Sequence, residues 1–224
     1  MPDLKPLSKH EEDYLKAIFQ LQEKENSGPT ESKDLASLLN VSAASVSGML
    51  KKIREKGLVE HSKYGKVSLS NKGQIVAVNL IRKHRLWETF LHEHMNFSWD
   101  EVHDVAEQLE HIRSIKLIRE MDKFLGFPKH DPHGDPIPDE KGNYHVKERL
   151  MLSSLSKGDH CKLVSVDDGS VAFLRYVSEI GLALSSEIQV KDRKSFDGSM
   201  VIAYDGREEN VSQKFADSIF VVRS

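Results

Sequence analysis

Four side chains in one short stretch could hold a divalent cation: His103, Glu107, Glu110 and His111. The pairs His103/Glu107 and Glu107/His111 are spaced i, i+4 and Glu107/Glu110 is spaced i, i+3, so on a continuous helix all four face the same way. Two carboxylates and two imidazoles pack badly into an apolar core and coordinate a metal well. His84 and Glu88 repeat the i, i+4 arrangement on what reads as the preceding helix. Seven of the eleven histidines lie between His84 and His133, which concentrates metal or proton chemistry there. On spacing alone, a solvated polar face with incidental histidines stays open beside the metal reading.

Several elements must position these groups. Ser8-Lys-His-Glu11 has the pattern of a capping box and opens a helix with apolar residues at Leu15, Ile18 and Phe19. Asn-Ser-Gly-Pro breaks it, and Thr30 is placed to cap a second helix carrying Leu35, Leu38 and Leu39. The tight junction Leu39-Asn40-Val41-Ser42 leads to a third helix with Val46, Met49, Leu50 and Ile53 on its apolar face. This reads as a helix-turn-helix. After Gly57 the period changes to that of a short hairpin, the wing of a winged helix. Two long helices follow between Gln74 and Gly126, with Ser98 capping the second, and Val102–His111 is expected to lie on that second helix. Residues 126–148 hold four of the seven prolines and read as a linker or ordered loop. Short β-type runs with one inserted helix complete the chain as a small β-barrel.

The expected fold class is therefore mainly α with α+β: a winged helix-turn-helix at 1–73, a helical dimerisation and metal-binding part at 74–148, and an SH3-like β-barrel at 149–224. A chain of 224 residues is long enough for more than one core. No apolar run approaches a bilayer span, there is no signal-type segment at the N-terminus, and the single cysteine, Cys161, cannot form an internal disulfide. A cytoplasmic protein without membrane contact is expected.

The net charge of −3 conceals a basic block. Between Ser42 and Lys72 seven Lys or Arg face two Glu, a local +5. In a helix-turn-helix the start of the second helix reaches base edges while flanking groups hold phosphates. Ser42, Ala44, Ser45 and Ser47 would make the base approach, with Lys51 and Lys52 on the same helix and Lys63, Tyr64 and Lys66 at the wing as backbone or minor-groove contacts. Small hydroxyl residues give modest base specificity, so methyl contacts and DNA shape would contribute.

Taken together and in this order, Glu11-Glu-Asp-Tyr-Leu-Lys-Ala-Ile-Phe-Gln-Leu21, the winged helix, Arg82-Lys-His-Arg-Leu-Trp-Glu-Thr-Phe-Leu91, Val102–His111, Phe127-Pro-Lys-His-Asp-Pro-His-Gly-Asp-Pro-Ile-Pro138 and the terminal β part resemble the DtxR/MntR family of metal-dependent repressors over nearly the whole chain. The resemblance extends to the family's terminal SH3-like module of FeoA type. It implies a regulatory site of Asp13, Glu107, Glu110 and His111. It further implies a second site that takes His84, Glu88 and His103, or instead draws on Glu88, Asp131, His133 and Asp168 or its neighbour Asp167. Iron-sensing members carry Met and Cys where Asp13 and Glu107 stand. The short manganese sensors carry a Glu one turn after the Asp, where this chain has Lys16, which counts against a two-metal cluster of their type.

Oxygen-rich sites with a few imidazoles and no thiolate suit Mn(II), the favoured ion, or Fe(II); the Irving–Williams order has Zn(II), Co(II) and Ni(II) substituting in vitro. The resemblance implies a homodimer on palindromic operator DNA, with no small-molecule substrate and no enzymatic activity. Two other classes compete. A winged-helix adaptor that binds another protein would not need metal-dependent DNA retention. A helical-bundle di-iron enzyme would need Glu-x-x-His pairs, and none occurs in residues 84–111.

Overall fold

The computed structural model describes residues 6–24, 28–61, 66–145, 148–167 and 169–224. In chain order the helical part comprises α1 (Lys9–Lys24), α2 (Ser32–Leu38), α3 (Ala43–Glu55), β1 (Val59–His61), β2 (Val67–Leu69), α4 (Asn71–Met95), α5 (Trp99–Leu109) and α6 (Ile115–Phe124). The β part comprises β3 (Leu150–Met151), β4 (His160–Val166), α7 (Val171–Glu179), β5 (Glu187–Arg193), β6 (Met200–Tyr204), β7 (Arg207–Val211), α8 (Gln213–Asp217) and β8 (Ile219–Arg223). The chain forms two compact units: Met1–His84 with Leu109–Ser114 and Pro138–Asn143, and Arg85–Gln108 with Ile115–Ile137 and Tyr144–Ser224.

In the first unit, Ser8 and Glu11 form the reciprocal cap: Ser8 N–H donates to Glu11 Oε2 at 2.8 Å and Glu11 N–H to Ser8 Oγ at 3.3 Å. Leu15, Ile18 and Phe19 are buried, and α1 packs against α2, α3 and β2. Thr30 does not cap α2. Its N–H donates to Val67 O at 2.8 Å and its carbonyl accepts from Val67 N–H at 2.9 Å, two backbone bonds that outweigh one side-chain cap. Asn40 takes a left-handed φ of 50° at the turn between α2 and α3, a conformation Asn tolerates, and Ser42 Oγ caps α3 by accepting from Ser45 N–H at 3.2 Å. Val46, Leu50 and Ile53 point inward, and Gly57 with φ 69° ends the segment. β1 and β2 form the antiparallel wing, with Glu60 opposite Ser68.

The second long helix of the sequence reading is broken. α5 ends at Leu109, where Ile112 N–H closes a tighter turn on Leu109 O at 3.0 Å, and α6 begins at Ile115. Glu110 and His111 thus stand on the turn that follows α5, within the first unit. Ion pairs inside that unit, Glu110 with Lys16 and His111 with Glu12, hold the turn against a helical propensity that is worth little per residue.

In the second unit, Leu86, Ile118, Met121 and Ile137 form one small core. The proline-rich segment is ordered: Asp131 N–H donates to Asp135 O at 3.0 Å and Ile137 N–H to Lys129 O at 2.9 Å. Gly134 has φ 91°, and a Cβ there would stand 2.0 Å from Val164 O, so this turn lies directly on β4. The terminal part is a six-stranded antiparallel sheet of order β3-β8-β4-β5-β6-β7, packed over a core that includes Leu163, Leu174, Ile188, Ile202, Phe215 and Val221. No helix among the described residues is long and apolar enough to cross a membrane.

Candidate metal centres and nucleic-acid interface

Asp13 on α1 meets Glu110 and His111 on the turn after α5, with one ligand atom from each lying within 4.8 Å of the others. His111 Nε2 is 3.1 Å from Asp13 Oδ1 and 3.8 Å from Glu110 Oε1. The opposite ring nitrogen, Nδ1, lies 2.6 Å from Glu12 Oε2. A carboxylate only accepts, so Nδ1 carries a hydrogen toward Glu12, and with a cation in the cluster Nε2 would offer its lone pair to it. The Glu110 side chain is fully buried, and its Oε2 faces Lys16 Nζ at 2.7 Å and His84 Nδ1 at 2.6 Å.

Glu110 Oε1 and His111 Nε2 are buried and have no hydrogen-bond partner among the described residues. Leaving such groups unsatisfied costs on the order of 1–3 kcal/mol each, more for a charged one. A divalent cation satisfies both at once, and two carboxylates with an imidazole and no thiolate form a donor set that fits Mn(II) or Fe(II). Burial pulls Lys83 below the ordinary lysine range, while the nearby Glu12 and Glu110 carboxylates act in the opposite direction.

The second unit gathers Glu88, Asp131 and His133, all buried, with ligand atoms again within 4.8 Å of one another. His133 Nε2 lies 3.1 Å from the Trp99 carbonyl, which only accepts, so Nε2 carries the hydrogen and Nδ1 is the nitrogen that faces Glu88 Oε2, at 3.8 Å. Asp131 Oδ1 accepts from the backbone of His133 and Asp135, both at 2.9 Å, and Arg85 Nε stands 3.5 Å from Oδ2. Burial, with Glu88 and Asp135 adding to it, pushes the Asp131 carboxyl up to about 8, against the opposing pull of Arg85 and His133. Two buried carboxylates beside an imidazole, with one proton-hungry, again suit a cation. His103 flanks this cluster, Nδ1 being 3.4 Å from Glu88 Oε1 and Nε2 3.7 Å from Glu107 Oε1. Asp168 lies outside the described residues.

On α3, Ser42, Ala44, Ser45, Ser47, Lys51 and Lys52 are all exposed. Lys66, half-exposed at the base of the wing, pairs with Glu31 at 3.4 Å. Lys63 and Tyr64 fall outside the described residues. Lys56, one of the basic block, is committed to Glu11 at 2.7 Å and serves the α1 cap.

The family model described as iron dependent repressor, N-terminal DNA binding domain, matches residues 6–67. Its metal binding and dimerisation counterpart matches 70–139, and the FeoA domain matches 150–223. A manganese-dependent transcriptional repressor solved in complex with manganese is 37% identical, covers 96% of this chain and all of its own, and superposes with a TM-score of 0.88. The chain belongs to the DtxR/MntR family of metal-dependent repressors.

Members of this family are transcriptional repressors and not enzymes. Among DtxR/MntR relatives, the iron-dependent repressor IdeR of Mycobacterium tuberculosis is 34% identical over 125 residues, 56% of this chain and 54% of its own length. A probable metal transport system membrane protein of Chlamydia trachomatis is 40% identical over 84 residues, 38% of this chain, which spans only 18% of its length. The chain thus spans about half or less of the curated relatives it matches first.

Sequence reasoning about this DtxR/MntR chain passed over Glu12, which orients His111, and Arg85, which faces Asp131. The run Glu11-Glu12-Asp13 was the available signal for Glu12, since adjacent acids on one helix point in different directions. Nothing local marks Arg85.

Proposed function

We propose that this chain is a metal-activated transcriptional repressor that binds palindromic operator DNA as a homodimer in the cytoplasm, with Mn(II) the favoured ion and Fe(II) the second choice. The observation that carries the reading is the convergence of Asp13, on a helix packed against the DNA-reading helix, with Glu110 and His111, about a hundred residues further along the chain. A cation held there supplies a link between segments that are otherwise joined only through the fold. Asp13 then anchors α1 to the turn, and α1, packed on α2 and α3, sets the orientation of Ser42–Ser47. Coupling of roughly 1–3 kcal/mol between metal and DNA makes a usable switch.

The second cluster is read as a further metal site of Glu88, Asp131 and His133, with His103 beside it and Asp168 or Asp167 as the ligand from the terminal part; the alternative set of His84, Glu88 and His103 shares only Glu88 and His103 with it. Support for the first set comes from the burial of all three side chains and the ordered turn that holds two of them. Glu107, 3.7 Å from His103, remains a proposed ligand of the switch. The three-part division at 73/74 and 148/149 remains our functional partition. Dimerisation is assigned to an open apolar cavity of about 550 Å³ lined by Trp87, Phe90, Leu117, Met121 and Phe124.

A gel-shift assay with operator DNA and manganese tests the reading. Wild type retards DNA only with metal, and Glu110→Ala loses that dependence. Full metal-dependent retardation by Glu110→Ala would overturn the assignment.

A further inference from the structure

Gly48 stands in the middle of α3 and is exposed. Its backbone is not left-handed, and a Cβ built on it would meet nothing within 4 Å among the described residues beyond its own stretch of helix. Gly73, on α4 in the same unit, is the opposite case: a Cβ there would stand 2.0 Å from Leu58 O, so packing demands glycine. At Gly48 neither conformation nor packing demands it. Glycine in an exposed helix interior is nonetheless about two- to five-fold less favourable for the helix than alanine. A residue that weakens its helix and serves no neighbour in the chain points to a body outside the chain.

The surroundings of Gly48 name that body. Ala44 and Ser45 stand one turn before it and Lys51 and Lys52 one turn after it, all exposed, while Val46, Leu50 and Ile53 take the buried face. Gly48 thus joins the small side chains at the start of α3 to the lysines that follow, within the segment matched by the DNA-binding family model. A helix in the major groove meets base edges, and the apolar group that projects there is the C5-methyl of thymine. Without a Cβ, Gly48 leaves a notch whose floor is its own Cα, bounded one turn away by the Ala44 methyl. The notch has room for a methyl group and no side-chain polar atom of its own.

We propose that Gly48 is a specificity-determining residue: its missing side chain admits a thymine C5-methyl of the operator, and that methyl excludes any larger residue at this position. The proposal rests on the reading of α3 as the DNA-contacting helix. It adds which position senses the methyl and why glycine is kept there against the preference of the helix.

The probe is a duplex selected from a random DNA pool by the full-length wild-type chain with Mn(II). It is synthesised once with thymine and once with uracil at every thymine position, which removes only the C5-methyl groups. Fluorescence anisotropy follows binding of wild type, Gly48→Ala and Lys51→Ala to both duplexes with Mn(II), and circular dichroism follows thermal unfolding of each protein. Gly48→Ala is expected to melt no lower than wild type, to bind the thymine duplex about 5–150-fold more weakly, and to bind the uracil duplex within about two-fold of wild type. The added protein methyl then fills the room left by the missing base methyl. Lys51→Ala is expected to weaken both duplexes alike, as loss of a phosphate contact does. Wild-type binding of the thymine duplex by Gly48→Ala, alongside a loss in Lys51→Ala, overturns the Gly48 claim alone. An equal loss on both duplexes by Gly48→Ala also overturns it, since the close approach is then not to a methyl group. A lower melting temperature does the same by revealing a demand for glycine inside the chain. Binding of both duplexes at wild-type strength by both variants, or failure of wild type to enrich any duplex, would refute the reading of α3 itself.

Discussion

His111 Nδ1 donates to Glu12 Oε2 across 2.6 Å, joining residues almost a hundred positions apart and turning Nε2 toward Asp13. The bond fixes both the tautomer and the plane of the ring. Outer partners of this kind are worth about 10–100-fold in metal affinity. Glu12→Gln, which can present its amide hydrogens to Nδ1 and favour the wrong tautomer, is expected to weaken Mn(II) binding at the first site by about that factor. Isothermal titration would measure it; an unchanged affinity would mean that Glu12 has no part in orienting the ligand.

The α1 cap gives a pH dependence. Burial works against the Glu11 carboxylate, yet the Lys56 ammonium and the Ser8 backbone and hydroxyl together hold it below the usual range. A depressed folded-state value means that the stabilisation is present above the unfolded value and is lost as pH falls through the folded one. Urea unfolding from pH 6 downward should therefore show an acid loss below about pH 4.5 that is smaller in Glu11→Gln, by roughly 0.5–1 kcal/mol for a partly buried pair. A Glu11→Gln protein with the same acid limb as wild type would exclude this origin.

Lys51 and Lys52 are exposed on α3. If both contact phosphates, Lys51→Ala and Lys52→Ala should each lower operator affinity similarly across sequences and reduce the slope of log affinity against log salt by about 1. Fluorescence anisotropy at several salt concentrations reads both quantities. A loss confined to one operator sequence would instead assign the residue to base reading.

Gly134 separates the two clusters experimentally. Its φ of 91° and the 2.0 Å approach of an added Cβ to Val164 O leave no room for a side chain. Gly134→Ala is expected to cost about 1–3 kcal/mol and to displace Asp131 and His133, abolishing metal binding at the second cluster while the first keeps its ion. Retention of both ions would contradict the placement of a metal site on that turn.

Much of this was readable from residues alone, and the failures have a common cause. Ser8, Ser42 and Ser98 mark helix starts because a hydroxyl finds the backbone within a few residues, and all three make such contacts or accompany them. The winged helix and the terminal sheet followed from periodicity. The break after Leu109 did not, because Glu-His-Ile-Arg has no helix-stopping residue; the turn is imposed by Glu12 and Lys16, far away in sequence. Thr30 failed in the same manner, captured by the backbone of Val67 rather than by its own helix. The ligand types were legible, whereas the grouping of Glu110 with Lys16 and His84 depended on three segments that no spacing rule connects.

The segment Leu109–Ser114 belongs with the winged helix although dozens of residues intervene. A fragment cut after residue 73 would therefore keep every exposed residue of α3 and discard Glu110 and His111. Any DNA affinity that such a fragment retained would be constitutive. On the proposed reading, metal control is not an attachment to a finished DNA reader but a dependence of that reader on Glu110 and His111, lent to it from between two later helices.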